Sequence, residues 1–354
     1  MLGDVAHLNV QRWCEGLAQA GADVHVLSLA AADVTTYAVH PLPVRRLGKL
    51  NYLAAIPAAR TILDKVRPDV VAAYYVTGYG TIAAWAGFHP LVQMTSGSDI
   101  LLAPRRPAMR RLVRYNLARA QLVTAWAPHM ARAAGSLGVP SSRLFVLARG
   151  IPIALFAGQR CPQPSIDRPA RLICTRSFAP IYRVEMLIRA AAELRRTGVA
   201  FTLTLAGTGP REPHVRALVR DLALSSVIRF PGFVSNDELP QLLAQHDVYV
   251  SMAESDGVSA SLLEAMAVGL LPVVTDNEAN RVWITSNHNG LLAEASSPSS
   301  VAAVIQRGIA DVDVRARAWH VNPPLVREQA DSIRNAGRYI NRFRLLVEAY
   351  GHRA

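Results

Sequence analysis

The sequence predicts an α/β protein built from two doubly wound, parallel-sheet domains. Helix-period segments and short apolar runs alternate from the amino end to about residue 310, the pattern of parallel sheets covered by helices on both faces. The chain has 354 residues, 51% hydrophobic and 18% charged. That is enough for two cores and too apolar for disorder. Residues 156–169 hold Pro162, Pro164 and Pro169 and read as a linker between two such series.

Residues 10–20 read as a helix and 22–29 as a strand. A second helix is expected over 52–66, perturbed by Pro57, whose ring and missing N–H oppose a helix interior. Residues 69–75, 91–95, 121–125 and 143–148 read as further strands, short and apolar between turn residues. The second series opens at Arg171, with strands ending near Ser177, Ala206, Met252 and Thr275. Residues 315–354 read as a helical tail, polar on one face. The expected division is therefore a domain over 1–155, a linker over 156–169, a domain over 170–314 and a tail over 315–354.

The charge is uneven. Residues 1–160 carry 17 Lys or Arg and 7 Asp or Glu, a net +10, while residues 161–354 carry a net +2. No apolar run is long enough to span a membrane, and no leader pattern follows Met1. Cys14, Cys161 and Cys174 are few, odd in number and widely spaced, which predicts a reducing compartment and no disulfide framework. A cytoplasmic protein is expected, with peripheral attachment to the inner membrane face open.

The chemistry concentrates in Ser255-Asp-Gly-Val-Ser-Ala-Ser-Leu-Leu-Glu-Ala-Met-Ala-Val-Gly269. A polar loop runs here from a strand into an Ala/Leu-rich helix, so it sits at a strand's carboxyl end, where open α/β sheets bind ligands. Amides near Gly257, Val258 and Ser259 are placed to hold a phosphate at a helix start. Asp256 and Glu264 flank that start with seven residues between them, suiting the hydroxyls of a ribose or sugar. Ser261 and Leu262 lie in the same turn. Bland alternatives stand beside each: Asp256-Gly257 as turn chemistry, Ser259 and Ser261 as helix caps, Glu264 as an ordinary helical acid.

This segment resembles the E-x7-E donor motif of retaining glycosyltransferases of family 4, with Asp in place of the first Glu. The resemblance extends over nearly the whole chain. It includes Gly207-Thr-Gly-Pro210, Val227-Ile-Arg-Phe-Pro-Gly-Phe-Val234, Asn280-Arg-Val-Trp-Ile284 followed by Asn289-Gly-Leu291, Gly97-Ser-Asp99, and Arg149-Gly-Ile151. It implies the GT-B fold, two Rossmann-like domains facing a cleft, with the tail returning to the amino domain. It also implies a nucleoside diphosphate sugar as donor, no further cofactor, and a glycan or lipid-linked acceptor held mainly by the amino domain. In the family an Arg at the place of Arg176 contacts the donor diphosphate, with Gly207 and Gly209 nearby. The family's Lys five residues on is Ile181 here, which leaves Arg183 as a substitute or as a solvated helix-start residue. Many members have a His where Ser96 stands. Its absence leaves Asp99 as the nearest acid or base, unless it only caps the next helix. A route retaining anomeric configuration tolerates that absence, because the departing phosphate can take the acceptor's proton. Asn9 and Arg12 fall where the first loop faces the cleft.

No metal is expected. Asp311-Val-Asp313 has a metal-binding spacing but follows a helix and reads as a surface turn. Arg105, Arg106, Arg110, Arg111, Arg114 and Arg119 interleave with Leu112, Val113, Tyr115 and Leu117, either a basic amphipathic helix for an anionic membrane or a solvated face. Nucleic acid is not expected, for want of a reading helix or aromatic platform. A nucleotide-sugar epimerase of the same fold and a non-catalytic nucleotide-sugar-binding paralogue remain as rivals. Gly3 stands where the family's first strand turns into its first helix. Most of that strand is expected to lie outside this sequence, through a late start or a truncation. An upstream Val/Ile/Leu run should then raise solubility and melting temperature.

Overall fold

The computed structural model describes residues 1–351 except Arg46. It forms two compact units. Unit 1 takes residues 1–149 together with the stretch from Ser332 onward, and unit 2 is Gly150–Asp331. These boundaries correct the expected ones. Residues 156–169 lie within unit 2. Its Cys161 amide donates to the Val268 carbonyl at 2.8 Å, and the Trp319 indole donates to the Cys161 carbonyl at 2.9 Å. Prolines mark a break in secondary structure but do not say which core the broken segment packs on. The tail also divides. Helix Val312–Gln329 sends Val314 and Ala318 into the core of unit 2, whereas helix Ser332–Gly351 belongs to unit 1. Residues 352–354 of the expected tail lie outside the described residues.

Unit 1 contains β1 (His25–Ser28), β2 (Ala38–Pro41), β3 (Val71–Tyr74), β4 (Leu91–Met94), β5 (Leu122–Ala125) and β6 (Leu144–Val146). β1 pairs with β2, and β3 to β6 pair in sequence order, all in parallel. Leu2 joins the two groups, bridging Leu27 on one side and Ala73 on the other. β3, β4 and β5 are buried along their whole length, as strands covered by helices on both faces must be. The helix expected over 52–66 is divided at Ala55 into Asn51–Ala54 and Ile56–Val66. Pro57 thus falls in a first turn, where no N–H is needed.

Unit 2 carries β7 (Ala170–Cys174), β8 (Phe201–Ala206), β9 (Ile228–Gly232), β10 (Val248–Ser251), β11 (Leu271–Thr275) and β12 (Leu291–Ala293). Its parallel sheet has the order β12-β11-β10-β7-β8-β9. From β7 the chain first builds outward through β8 and β9, then returns to the other side of β7 with β10. Strand order therefore reverses between β7 and β10, the place where open α/β sheets leave a crevice at their carboxyl ends. Leu187, Ile188 and Leu194 cover the sheet from one helix, against Leu203, Leu205 and Val250.

Candidate active site

The reversal sets the carboxyl ends of β7 and β10 side by side, and both ends carry chemistry. Arg176 follows β7 by two residues and is 7% exposed. Its Nη1 donates to Ser259 Oγ at 2.7 Å and Ser261 Oγ at 2.9 Å, and its Nη2 donates to Asp256 Oδ2 at 2.8 Å. The guanidinium lies 4.0 Å from the centre of the Tyr182 ring. Burial works against its charge, but Asp256, then Tyr249 and Tyr182, outweigh that and raise its pKa. A permanently charged, buried guanidinium thus sits beside helix Ala260–Ala267, whose amino end carries its own partial positive charge. This is an anion-binding arrangement in which Asp256 is the anion already in contact.

The individual residues sort as follows. Ser259 caps the helix by accepting from the Leu262 amide at 3.2 Å, and also accepts from Arg176. Capping and charge positioning are thus joined in one hydroxyl. Leu262 is 1% exposed, and its amide is taken by Ser259. Its side chain packs in the core, while its backbone lies in the first turn of the helix beside Ser259. Gly257 is buried, while Val258 is half-buried. Glu264 is 6% exposed on the second turn of the helix.

Gly207 and Gly209 lie close, but to backbone. A Cβ on Gly207 would stand 2.6 Å from the Arg176 carbonyl oxygen, and one on Gly209 would stand 2.8 Å from Phe178 main-chain atoms. The loop is held there by Phe178 N–H to Thr208 O at 2.9 Å and Arg211 N–H to Phe178 O at 3.0 Å. The two glycines thus have a reason that needs no ligand: they let the loop lie on the segment that carries Arg176. Arg183 is turned elsewhere. Its φ is +48°, and its guanidinium donates to the Ala295 carbonyl at 3.0 Å. It does not share the hydrogen bonds of the Arg176 cluster.

In unit 1, Asp99 is wholly buried. Its carboxylate accepts from the amides of Val76 at 2.9 Å, Ser96 at 3.0 Å and Gly97 at 2.9 Å. Burial raises its pKa, against these bonds. The carboxylate thus ties the loop after β4 to the loop after β3. Arg149 grips Asn9, with Nη1 to its carbonyl at 3.1 Å and Nη2 to Oδ1 at 2.8 Å. Asp311 caps helix Val312–Gln329 by accepting from the Val314 amide at 2.9 Å.

Two residues escaped the sequence reading. Tyr182 stacks on Arg176, and Tyr249 O–H shares a 2.8 Å hydrogen bond with Ser261 Oγ. Burial pushes the Tyr249 hydroxyl up to about 12. Tyr249 sits in the apolar run Val-Tyr-Val-Ser of β10, where a tyrosine looks like packing. A hydroxyl within a fully buried strand was the available signal, because such a group needs a partner.

This fold and site define a two-unit α/β protein of the GT-B class. The chain belongs to the group 1, family 4 glycosyltransferases: the glycosyl transferases group 1 family matches residues 160–319, and the glycosyl transferase 4-like family matches residues 1–126. The amylovoran biosynthesis glycosyltransferase AmsK of Erwinia amylovora is 26% identical over 186 residues, 50% of this chain and 45% of that protein. The chain thus matches less than half the length of that relative. N-acetyl-alpha-D-glucosaminyl L-malate synthase of Bacillus anthracis is 23% identical over 274 residues, 76% of this chain and 71% of that protein. Anabaena Alr3699/HepE, solved in complex with UDP, shares the fold with a TM-score of 0.80 at 18% identity, over 96% of this chain and 97% of that one.

Proposed function

We propose that this protein transfers a sugar from a nucleoside diphosphate sugar to a cell-envelope glycan or a lipid-linked precursor, retaining anomeric configuration. The observation that carries this is the Arg176 cluster at the β7–β10 reversal. An incoming diphosphate would take the place of the Asp256 carboxylate on Arg176 and meet the amides at the start of helix Ala260–Ala267. Asp256, once released, and Glu264 are then placed to accept from sugar and ribose hydroxyls. As the sugar–phosphate bond breaks, charge grows on the departing phosphate, and Arg176 with the Ser259 and Ser261 hydroxyls is already oriented toward it. The same phosphate oxygen takes the acceptor's proton, so no separate base is needed. The UDP complex of the Anabaena protein supports the donor class, and the name of the Erwinia relative supports a polysaccharide product.

A panel of nucleoside diphosphate sugars, assayed for transfer, hydrolysis and interconversion of the free donor, tests this reading. Transfer or donor hydrolysis supports it. Interconversion alone would make the protein an epimerase, and binding without turnover a non-catalytic receptor. Activity should survive a strong chelator, because cationic side chains and amides meet the leaving group. Complete loss that added metal restores would contradict that part of the mechanism.

The basic helix is proposed to dock on anionic lipid by charge, not by insertion. Helix Pro107–Ala118 spends its apolar face on its own domain: Val113 is 0% and Leu117 1% exposed. All six arginines of residues 105–119 are exposed outside it. Beside them Tyr115 and Trp85 are both exposed and pair at 5.5 Å between ring centres, a pair suited to a lipid–water boundary. Among the described residues no helix is long and apolar enough to cross a membrane. Replacing Arg106, Arg110, Arg111 and Arg114 with Gln should release the protein from anionic vesicles, at about 1 kcal/mol per charge. Co-sedimentation unchanged by the four substitutions or by salt would show a merely solvated face.

A further inference from the structure

Unit 2 holds a pocket of about 400 Å³ between the amino ends of helices Val184–Arg196 and Glu212–Asp221. Arg183, Arg189 and Arg211 line it, with His214 beside them. Among the described residues the lining sets a single acid, Glu185, against these cations. Two of the cations stand where helices disfavour them. Arg183 is the N-cap of the first helix and Arg211 of the second, and neither helix has a side-chain cap. A helix start carries partial positive charge and ordinarily takes an acid or a small polar cap. Arg183 also holds a left-handed backbone, φ +48°, a conformation that costs free energy outside glycine. Glu185 answers only part of this charge. It accepts from Arg211 Nε at 2.8 Å. Burial opposes its ionised form, but its own amide, Arg211 and His214 outweigh that and lower its pKa. Glu212, the other acid of the two helix starts, is bonded to Arg216. Arg183 donates to the neutral Ala295 carbonyl. Arg189 is exposed and has no hydrogen bond or ion pair among the described residues.

We propose that this pocket binds a phosphate monoester, at a site separate from the Arg176 cluster. Three arginines less one glutamate leave two positive charges in the lining. That balance suits a dianion, and a phosphate monoester carries about −1.5 to −2 near neutral pH with three acceptor oxygens. The single charge and two oxygens of a carboxylate would leave one arginine unanswered. Forked guanidinium groups match phosphate oxygens, and the uncapped helix starts add their amides. The volume exceeds what a bare phosphate needs and falls in the range of small organic ligands, roughly 300–1,000 Å³. Pro180 and Met186 complete the lining and offer the organic part an apolar wall. The hydrogen bonds of the Arg176 guanidinium go to Ser259, Ser261 and Asp256, none of which lines this pocket. The site therefore stands whether or not the proposed transfer reaction does.

Titration calorimetry on the full-length protein tests this with glycerol phosphate and a hexose phosphate as small monoesters and glucuronate as the carboxylate. Vesicles containing phosphatidic acid, read by co-sedimentation, present the same group on a lipid. A small monoester should bind, and glucuronate about tenfold or more weakly. Arg189→Gln should weaken monoester binding by about tenfold, and Arg189→Gln with Arg211→Gln by about a hundredfold, the scale of hydrogen bonds to charged groups. The single variant has no side-chain partner to lose, so its melting curve should match the parent's. Arg176→Ala should bind the monoester as the parent does. Binding lost in Arg176→Ala but kept in both pocket variants would assign the phosphate to the donor cluster and overturn the proposal. Equal binding of glucuronate, or no binding of any monoester, would overturn it as well. Capture of the vesicles alone, lost in the double variant, would keep the chemistry and make its source a lipid headgroup.

Discussion

Arg176→Ala is expected to lower kcat by about 10²–10³-fold, the scale on which loss of one preorganised donor to a developing anion acts. The donor KM should rise as well, since the same guanidinium meets the ground-state diphosphate. Arg176→Lys should recover only part of the activity. A single ammonium cannot hold Ser259, Ser261 and Asp256 at the geometry of a planar fork. Glu264→Ala removes a hydroxyl acceptor rather than a cation, so its loss should fall on donor affinity and turnover together, at about tenfold or more. Steady-state kinetics with donor varied, beside a melting curve for each variant, separates chemistry from folding. Full activity in both Arg176→Ala and Glu264→Ala, with the proteins folded, would remove the site from unit 2.

Gly207→Ala should cost nearly as much by a different route. The added methyl would stand 2.6 Å from the Arg176 carbonyl oxygen, and that neighbour is backbone at the end of a central strand, with little freedom to yield. Overpacking of this kind costs about 1–3 kcal/mol. The displaced atoms are those that aim Arg176, so activity should fall further than stability does. Gly135→Ala is the control: its Cβ would meet nothing within 4 Å, and it lies within helix Pro128–Ser136. That variant should keep or slightly gain stability. A Gly207→Ala protein that melts and turns over like the parent would show that the loop does not bear on Arg176.

Much of this was legible because local pattern and local structure coincide. Asp256 and Glu264 were found by spacing on a strand–loop–helix unit, and Arg176 by its place at a strand end. What spacing could not show is that Asp256 is bonded to Arg176. That pairing comes from strand order, which no local window contains. Helix Tyr79–Ala86 went unseen because it is buried nearly all round and presents no 3.6-residue stripe. β2 went unseen because its residues are half-buried or exposed, as at a sheet edge. Leu112, Val113 and Leu117 were read as possible lipid contacts, yet Val113 and Leu117 serve the domain core; amphipathicity does not name the apolar phase. Leu262 was included with its neighbours by position alone, while its side chain points into the core.

The division of the tail bears on how the chain is made. Unit 2 is continuous, Gly150–Asp331, so all its parts have been synthesised before the last helix. Unit 1 is not. Trp13 meets the edge of Tyr339 at 4.7 Å between ring centres, Tyr339 O–H donates to Leu147 O at 2.6 Å, and Asn335 Nδ2 donates to Ala148 O at 2.9 Å. The core around Trp13 therefore waits for helix Ser332–Gly351, which is translated after the whole of unit 2, before it closes. Domains usually mature in the order in which they leave the ribosome. In this protein that order is inverted: the second unit can be native while the first still exposes Trp13 and the apolar face around it. The nascent amino-terminal half is thus the part most in need of chaperone protection during translation.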